Sequence, residues 1–212
     1  MGFLDSKIMK ARVITPILFF PLLLSACQNG PSALSRDERQ LIKESGDVMR
    51  VLTIDDPSDS LILRSISKDF SLKDLQSDEL ALLSEKLIST VTSPEQDGVG
   101  IAGPQVGISR RIVAVQRFDK EGSPFEVYPN ISILDCRGPK EAGAEGCLSV
   151  PNRRGEVFRY RDIDIKYSLK DGRDTVETVK GFTAVIFQHE CDHLEGIIYT
   201  DRISGNLSEL GK

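Results

Sequence analysis

The stretch Gln188-His189-Glu190-Cys191-Asp192-His193 sets the fold prediction for this chain. It contains both histidines of the 212-residue protein, four positions apart. On a helix, side chains at positions i and i+4 project from the same face, so His189 and His193 can bind one metal ion. Glu190 follows the first histidine, where its carboxylate can take a proton from a water that the metal activates. The pattern predicts a hydrolytic metal site on a helix.

HExxH also occurs by chance on helices that bind no metal, so the two histidines alone do not establish a metal site. A third ligand elsewhere in the chain would support it. The chain has no third histidine, so the ligand must be a cysteine or a carboxylate. Cys147 is the candidate; it lies in the segment EGCLS, residues 145–149, where Gly146 permits close backbone approach. The alternative for Cys147 is a buried structural cysteine, and we expect that fate for Cys136 and Cys191.

A glycine-rich segment, GVGIAGPQ, occupies residues 98–105. Glycine-rich loops often bind phosphate, but neither the P-loop pattern nor the dinucleotide fingerprint is completed here. The alternative is a loop whose backbone lies close to a substrate, with Gln105 donating a hydrogen bond.

Hydrophobic periodicity predicts helices near both ends of the domain and strands between them. A helix is expected over residues 77–92 with Ser77 as its N-cap, and a second over 183–194, ended by Gly196. Alternating or β-branched runs predict the strands. They cover residues 111–118, 125–134, 162–169 and 175–179. This order predicts an α+β fold.

The amino terminus has the features of an export signal. Residues 8–27 read IMKARVITPILFFPLLLSAC, a basic start and then an apolar run too short for a comfortable membrane span. The sequence LSAC resembles the bacterial lipoprotein box, which implies cleavage before Cys27 and lipidation of its thiol. An uncleaved anchor or a misassigned start codon is the alternative.

These observations predict four regions and a location. A signal peptide is expected over residues 1–26, a polar tether over 27–49, a catalytic domain over 50–204 and a short tail over 205–212. If the signal is used, we expect the protein to be exported and anchored in a bacterial envelope. Its only expected contact with the membrane is the N-terminal signal or lipid anchor. The cytoplasm is the alternative if the signal is not used.

Composition narrows the class of protein. Hydrophobic residues make up 40% and charged residues 28%, which suits one globular domain with a real core. The net charge of −5, without a clustered run of Lys and Arg, gives no reason to expect nucleic acid. Four cysteines do not define a disulfide framework, and none is predicted.

Taken together, GVGIAGPQ, EGCLS and QHECDH resemble the three motifs of peptide deformylases, GxGxAAxQ, EGCLS and QHExxH, in the same order. The similarity covers roughly residues 51–203. Gly103 stands where the family has a second alanine, and Ile131 follows Asn130 where proline is usual. The resemblance implies antiparallel or mixed strands packed around a C-terminal HExxH helix, with an N-terminal helix. The export signal is the largest departure.

The resemblance also implies a reaction. The family removes the formyl group from formyl-methionyl peptides or nascent chains, a step of protein biosynthesis, and releases formate. Glu190 would be the general base, while the Gln105 amide and the Leu148 backbone N–H would stabilise the formyl oxygen. One divalent ion is implied, natively Fe(II) and replaceable by nickel, cobalt or zinc. Its ligands would be Cys147, His189 and His193.

The resemblance also implies weaker assignments for residues that would contact the bound peptide. Val99 and Gly100 would pair with its backbone. Part of a methionine pocket would be formed by Phe182, Val185 and Ile186. Arg154 would assist binding. The pocket residues could instead belong to the core, and the arginine could be an ordinary surface residue.

Two other functions compete. An envelope HExxH metallopeptidase suits the export signal, but such enzymes take a third ligand downstream, where only Glu195, Asp201 and Glu209 remain. A non-catalytic binding protein on the same fold is the second, and the intact set of candidate ligands and base argues against it.

Overall fold

The computed structural model describes residues 31–204, together with Gly2 and Ser208–Glu209. The expected signal peptide, except Gly2, and Cys27 lie outside the described residues. Within the described part, no helix is both long and apolar enough to cross a bilayer.

Five helices and seven strands are described. The helices are α1 (Arg36–Glu44), α2 (Pro57–Leu63), α3 (Leu72–Leu75), α4 (Asp78–Val91) and α5 (Gly181–Leu194). The strands are β1 (Gly100–Ala102), β2 (Ile112–Gln116), β3 (Phe125–Pro129), β4 (Ser132–Cys147), β5 (Val150–Ser168), β6 (Asp174–Lys180) and β7 (Ser208–Glu209). Short 3-10 turns cover Gly103–Val106 and Tyr199–Arg202.

The strands form two antiparallel sheets. The first has the order β1-β2-β3, and the second has the order β4-β5-β6 with β7 paired to β5. Strands β4 and β5 make a long hairpin in which Cys147 pairs with Val150, so Leu148 and Ser149 form its turn. The expected α+β class is confirmed.

Side chains that alternate along β1 and β2 face two different cores, and each core contains one helix on its side of the first sheet. Ile101, Ile112 and Ala114 belong to the core that contains the buried side of α4. Ala102 and Val113 belong to the core that contains α5 and the inner face of the second sheet. Because side chains alternate along a strand, a run of apolar residues can fill both cores. Helix α5 therefore packs between the sheets.

Both predicted helices are confirmed, with small changes at their ends. Ser77 caps α4 by accepting a hydrogen bond from the Leu80 N–H at 3.3 Å. Helix α5 begins at Gly181, two residues before the predicted start. Gly196 has a φ of 70°, and a Cβ there would lie 2.4 Å from the Arg64 carbonyl oxygen. This position therefore requires glycine after the helix ends.

The prediction of one strand over residues 125–134 is wrong, because β3 and β4 are separate. Asn130 adopts a φ of 54°, which ends β3, and its side chain accepts from the Phe70 N–H at 2.7 Å. Asparagine tolerates this left-handed conformation better than other non-glycine residues. Cys136 is half-buried rather than buried as expected, whereas Cys191 is buried.

The polar tether predicted for residues 27–49 is wrong for its described part. Residues 36–44 form α1, and Leu34, Ile42 and Met49 are buried in the core beside α4. Ser35 and Glu38 form a capping box at the start of α1. This segment, residues 31–47, is called the N-terminal extension below.

Three buried charged side chains of the domain bind the N-terminal extension. Arg110 donates to both Glu38 carboxylate oxygens at 2.7 Å and to the Ser32 carbonyl at 2.6 Å. Asp74 accepts from the Leu34 N–H and from Arg39. Lys86 donates to the Ser45 hydroxyl at 3.0 Å. Since these groups are 5% exposed or less, losing the extension would leave buried charges without compensation.

Replacing Arg110 with Met is therefore expected to lower the free energy of unfolding by about 3–5 kcal/mol. The matched control is Arg173→Met, whose side chain is 77% exposed and pairs with Asp171 in the same turn; it should cost less than about 1 kcal/mol. Urea unfolding of the two variants measures the difference. Equal midpoints would show that the extension contributes little.

Candidate active site and metal centre

The β4–β5 hairpin and α5 bring together the three predicted ligands. Ligand atoms of Cys147, His189 and His193 all lie within 4.8 Å of one another. The Cys147 sulfur is 3.2 Å from His193 Nε2. A thiolate with two imidazoles is a donor set suited to a divalent transition metal, and the spacing allows one ion to contact all three. The residues therefore fit a mononuclear metal site.

Glu145 orients the first histidine. His189 Nδ1 donates to Glu145 Oε2 at 2.8 Å, which leaves Nε2 as the ligand atom. Burial by itself would raise the pKa of Glu145, but the bonds from His189 and Arg159 lower it to about 2. Glu145 is thus an ionised acceptor, and it holds the imidazole in one tautomer.

A buried chain of charges continues behind Glu145. Arg159 donates to both carboxylate oxygens of Glu145, at 2.8 and 3.0 Å, and to Asp192 at 2.6 Å. Asp192 also accepts two bonds from Arg202. The sequence patterns do not predict this network, although Asp192 lies inside the HExxH segment. The pairing of Glu145 with Arg159 requires the hairpin register, which local patterns do not provide.

Glu190 directly follows the ligand His189 on α5 and lines the same cleft. It is 4% exposed, and its Oε2 has no hydrogen-bond partner among the described residues. Burial raises the pKa of Glu190 to about 7. A carboxyl group with a pKa near neutrality can both accept and return a proton.

Gln105 and Leu148 lie beside the ligands. Gln105 is buried, and its Oε1 accepts from the Ala102 N–H at 2.8 Å. This bond assigns the amide orientation, with Nε2 3.6 Å from the Cys147 sulfur and 3.2 Å from the Ser149 hydroxyl. Leu148 occupies the hairpin turn directly after Cys147. The Gln105 amide and the Leu148 backbone therefore both lie next to the ligand cluster.

One cleft of about 600 Å³ contains these groups and all the predicted peptide-binding residues. Phe182 is half-exposed at its edge and contacts Phe118, while Ile186 is buried and contributes to both cleft and core. The predicted residues that line the cleft, besides the ligands Cys147 and His189, are Val99, Gly100, Gln105, Leu148, Arg154, Phe182, Val185, Ile186 and Glu190.

Two glycines of the first motif are in close contact with the site or its support. A Cβ at Gly100 would lie 2.5 Å from Glu190 Oε1 and 2.7 Å from Ile186 Cγ2. A Cβ at Gly103 would lie 2.7 Å from the Ile108 carbonyl oxygen. The glycine at 103 therefore does more than add backbone freedom, since an alanine would require the chain at residue 108 to shift.

Replacing Gly100 with Ala is expected to displace Glu190 and to lower kcat by roughly 10²-fold, the effect of a misplacement of about 1 Å. The matched control is Gly143→Ala in β4, where a Cβ meets nothing within 4 Å and φ is not positive. Formate release from a formylated peptide measures the effect. Equal turnover of the two variants would show that the contact does not position Glu190.

A cysteine sulfur and two imidazoles grouped together, with a buried carboxyl group beside an open cleft, define a mononuclear metal hydrolase. Residues 48–208 match the family model for polypeptide deformylase. A peptide deformylase of Leptospira biflexa is 36% identical over 163 residues, which cover 74% of this chain and 88% of that protein. The chain belongs to the peptide deformylase family.

Solved structures agree with this assignment. A peptide deformylase of Thermotoga maritima is 34% identical, with a TM-score of 0.64 over 74% of this chain and 99% of that one. The actinonin-bound enzyme of Acinetobacter baumannii is 38% identical, with the same TM-score and coverage. The protein is thus an enzyme that removes the formyl group from N-formyl peptides, and the predicted family and function are confirmed. The competing metallopeptidase would need a third ligand downstream of His193, whereas Cys147 completes this cluster.

Proposed function

We propose that the chain deformylates formyl-methionyl peptides with Cys147, His189 and His193 as metal ligands and Glu190 as the proton-transfer group. The observation that carries this proposal is the grouping of the three ligand atoms within 4.8 Å at the cleft that Glu190 lines. A bound metal supplies the Lewis acidity that makes water a nucleophile near neutral pH.

Glu190 moves the proton. Its carboxylate takes a proton from the attacking water and then passes it to the departing amine nitrogen. Burial supports both steps, because it raises the pKa of the carboxyl group toward neutrality. The products are formate and a peptide with a free amino terminus.

Gln105 and Leu148 stabilise the negative charge that develops on the formyl oxygen. The Gln105 Nε2–H is held in place because its Oε1 is bound by the Ala102 N–H. A fixed donor needs no reorganisation when charge develops, and one such donor contributes about 10²–10³ in kcat. The Leu148 backbone N–H is the second donor.

The peptide lies along β1, which is the outer strand of its sheet. An extended peptide can add to such an edge through backbone hydrogen bonds, which gives Val99 and Gly100 their role. Phe182, Val185 and Ile186 would form part of the methionine pocket, and Arg154, which lines the same cleft, would assist peptide binding.

The native metal is proposed to be Fe(II), with nickel, cobalt or zinc as substitutes. The full chain, purified anaerobically, should contain one iron per chain. Chelation should abolish formate release from formyl-Met peptides, and Fe(II) should restore it better than Zn(II). Zinc as the purified metal, with full activity, would overturn the iron assignment; internal peptide cleavage without formate would overturn the reaction.

The enzyme is also proposed to be anchored in a bacterial envelope through Cys27. The supporting feature is the signal-like segment that ends in LSAC. A palmitate analogue should label the full chain but not a Cys27→Ala variant. Labelling of both would place the modification elsewhere, and labelling of neither would contradict lipidation.

A further inference from the structure

The chain is attached to the domain from Ser32 onward. Ser32 forms a short parallel bridge with Phe70, and its N–H donates to the Asp69 carbonyl at 3.2 Å. Buried Arg110 donates to both the carbonyl and the hydroxyl of Ser32. The segment that precedes the domain in sequence therefore joins it at one defined point.

Little chain separates this point from the proposed anchor. Five residue steps lead from Cys27 to Ser32, and an extended chain covers at most about 18 Å in that distance. Since residues 32–49 are packed on the domain, they cannot serve as a spacer. A lipid on Cys27 would hold the face around Ser32 close to the bilayer.

That face carries exposed apolar side chains. Leu72 is 55% exposed and Leu169 is 36% exposed. They belong to one surface, because Leu72 Cδ1 lies 2.6 Å from the Cβ position of Gly172 in the β5–β6 turn. Ser32 is connected to this face through buried and half-buried residues. It bridges to Phe70, the Phe70 N–H donates to Asn130, and Asn130 donates to the hydroxyl of Ser168, the residue before Leu169.

Basic side chains flank the two leucines. Lys73, Lys170 and Arg173 are exposed, and Arg173 pairs with Asp171. Neither lysine has a carboxylate partner in the part of the chain that the structure describes. Apolar side chains flanked by two lysines suit the headgroup region of an anionic bilayer. These residues are called the entry patch: Leu72, Lys73, Leu169, Lys170 and Arg173.

We propose that the entry patch seats the enzyme on an anionic phospholipid bilayer. This rests on the proposed anchoring through Cys27. None of the patch residues lines the catalytic cleft, and the 19 residues of β5 connect the turn at the active site to the patch. Seating on this face leaves the cleft open to peptides in solution.

Tryptophan fluorescence tests the seating, because the chain contains no tryptophan. The full lipidated chain is placed in anionic vesicles with brominated acyl chains, as Leu72→Trp or as the control Phe158→Trp. Phe158 is 45% exposed and lies in β5 opposite Ala142, outside the cleft and the patch. The Leu72→Trp variant should lose most of its emission to bromine quenching, and the control should lose almost none.

Charge reversal tests the lipid preference. Lys73→Glu with Lys170→Glu should weaken quenching of the Leu72→Trp variant, since each lysine contributes about fivefold to attraction by an anionic surface. Lys140→Glu with Lys180→Glu is the matched control and should have no effect. Formate release should be unchanged in all variants.

The outcomes separate the two proposals. A chain that floats with vesicles while Leu72→Trp is unquenched, or is quenched no more than the control, overturns the seating alone. A chain that does not float overturns the anchoring and the seating with it.

Discussion

The Glu190→Gln variant is expected to lose about 10²–10⁴-fold in kcat, the usual contribution of a general acid–base group. The amide has nearly the same shape as the carboxyl group but cannot accept the proton from water. Glu190 does not belong to the cluster Cys147, His189 and His193. The variant should therefore still bind one metal per chain.

Formate release and metal content of the same sample measure both parts of this prediction. Glu95→Gln is the matched control, because Glu95 lines the same cleft but is exposed; its turnover should equal that of the parent chain. Full turnover of the Glu190→Gln variant would contradict the assignment of Glu190 as the general base. Loss of metal from that variant would instead make Glu190 a structural support of the site.

The parts of the structure that the sequence predicted well are those that depend on local patterns. Helices α4 and α5 were located by apolar spacing and by Ser77 and Gly196 at their ends. The placement of His189 and His193 on one face of α5 follows from helix geometry. Cys147 was found because its motif is contiguous, although it lies far from His189 in the chain.

The parts that were missed depend on distant partners. The N-terminal extension has few apolar residues, and its packing relies on Arg110, Asp74 and Lys86. In a sequence, such residues indicate solvent-exposed surface, because buried charges are rare without partners. Their partners become visible only when the fold is known, which is why a docked segment was interpreted as a tether.

Arg159 is the second case of this kind, and its replacement by Leu should have a large effect on stability. The variant would leave Glu145 and Asp192, whose side chains are 8% and 11% exposed, without their shared cation. Removing one member of a buried ion pair costs about 3–5 kcal/mol. His189 would also lose the fixed orientation of its acceptor, so metal affinity should fall about 10–100-fold.

Arg161→Leu is the matched control two residues further along β5. Its side chain pairs with the half-exposed Glu141, so its replacement should cost less than about 1 kcal/mol and leave metal affinity unchanged. Urea unfolding and competition with a chelator measure the two quantities. If Arg159→Leu were destabilised but kept its metal affinity, the network would stabilise the hairpin without tuning the ligand. If both variants behaved alike, the network that links Glu145 to Asp192 through Arg159 would have no role in holding His189.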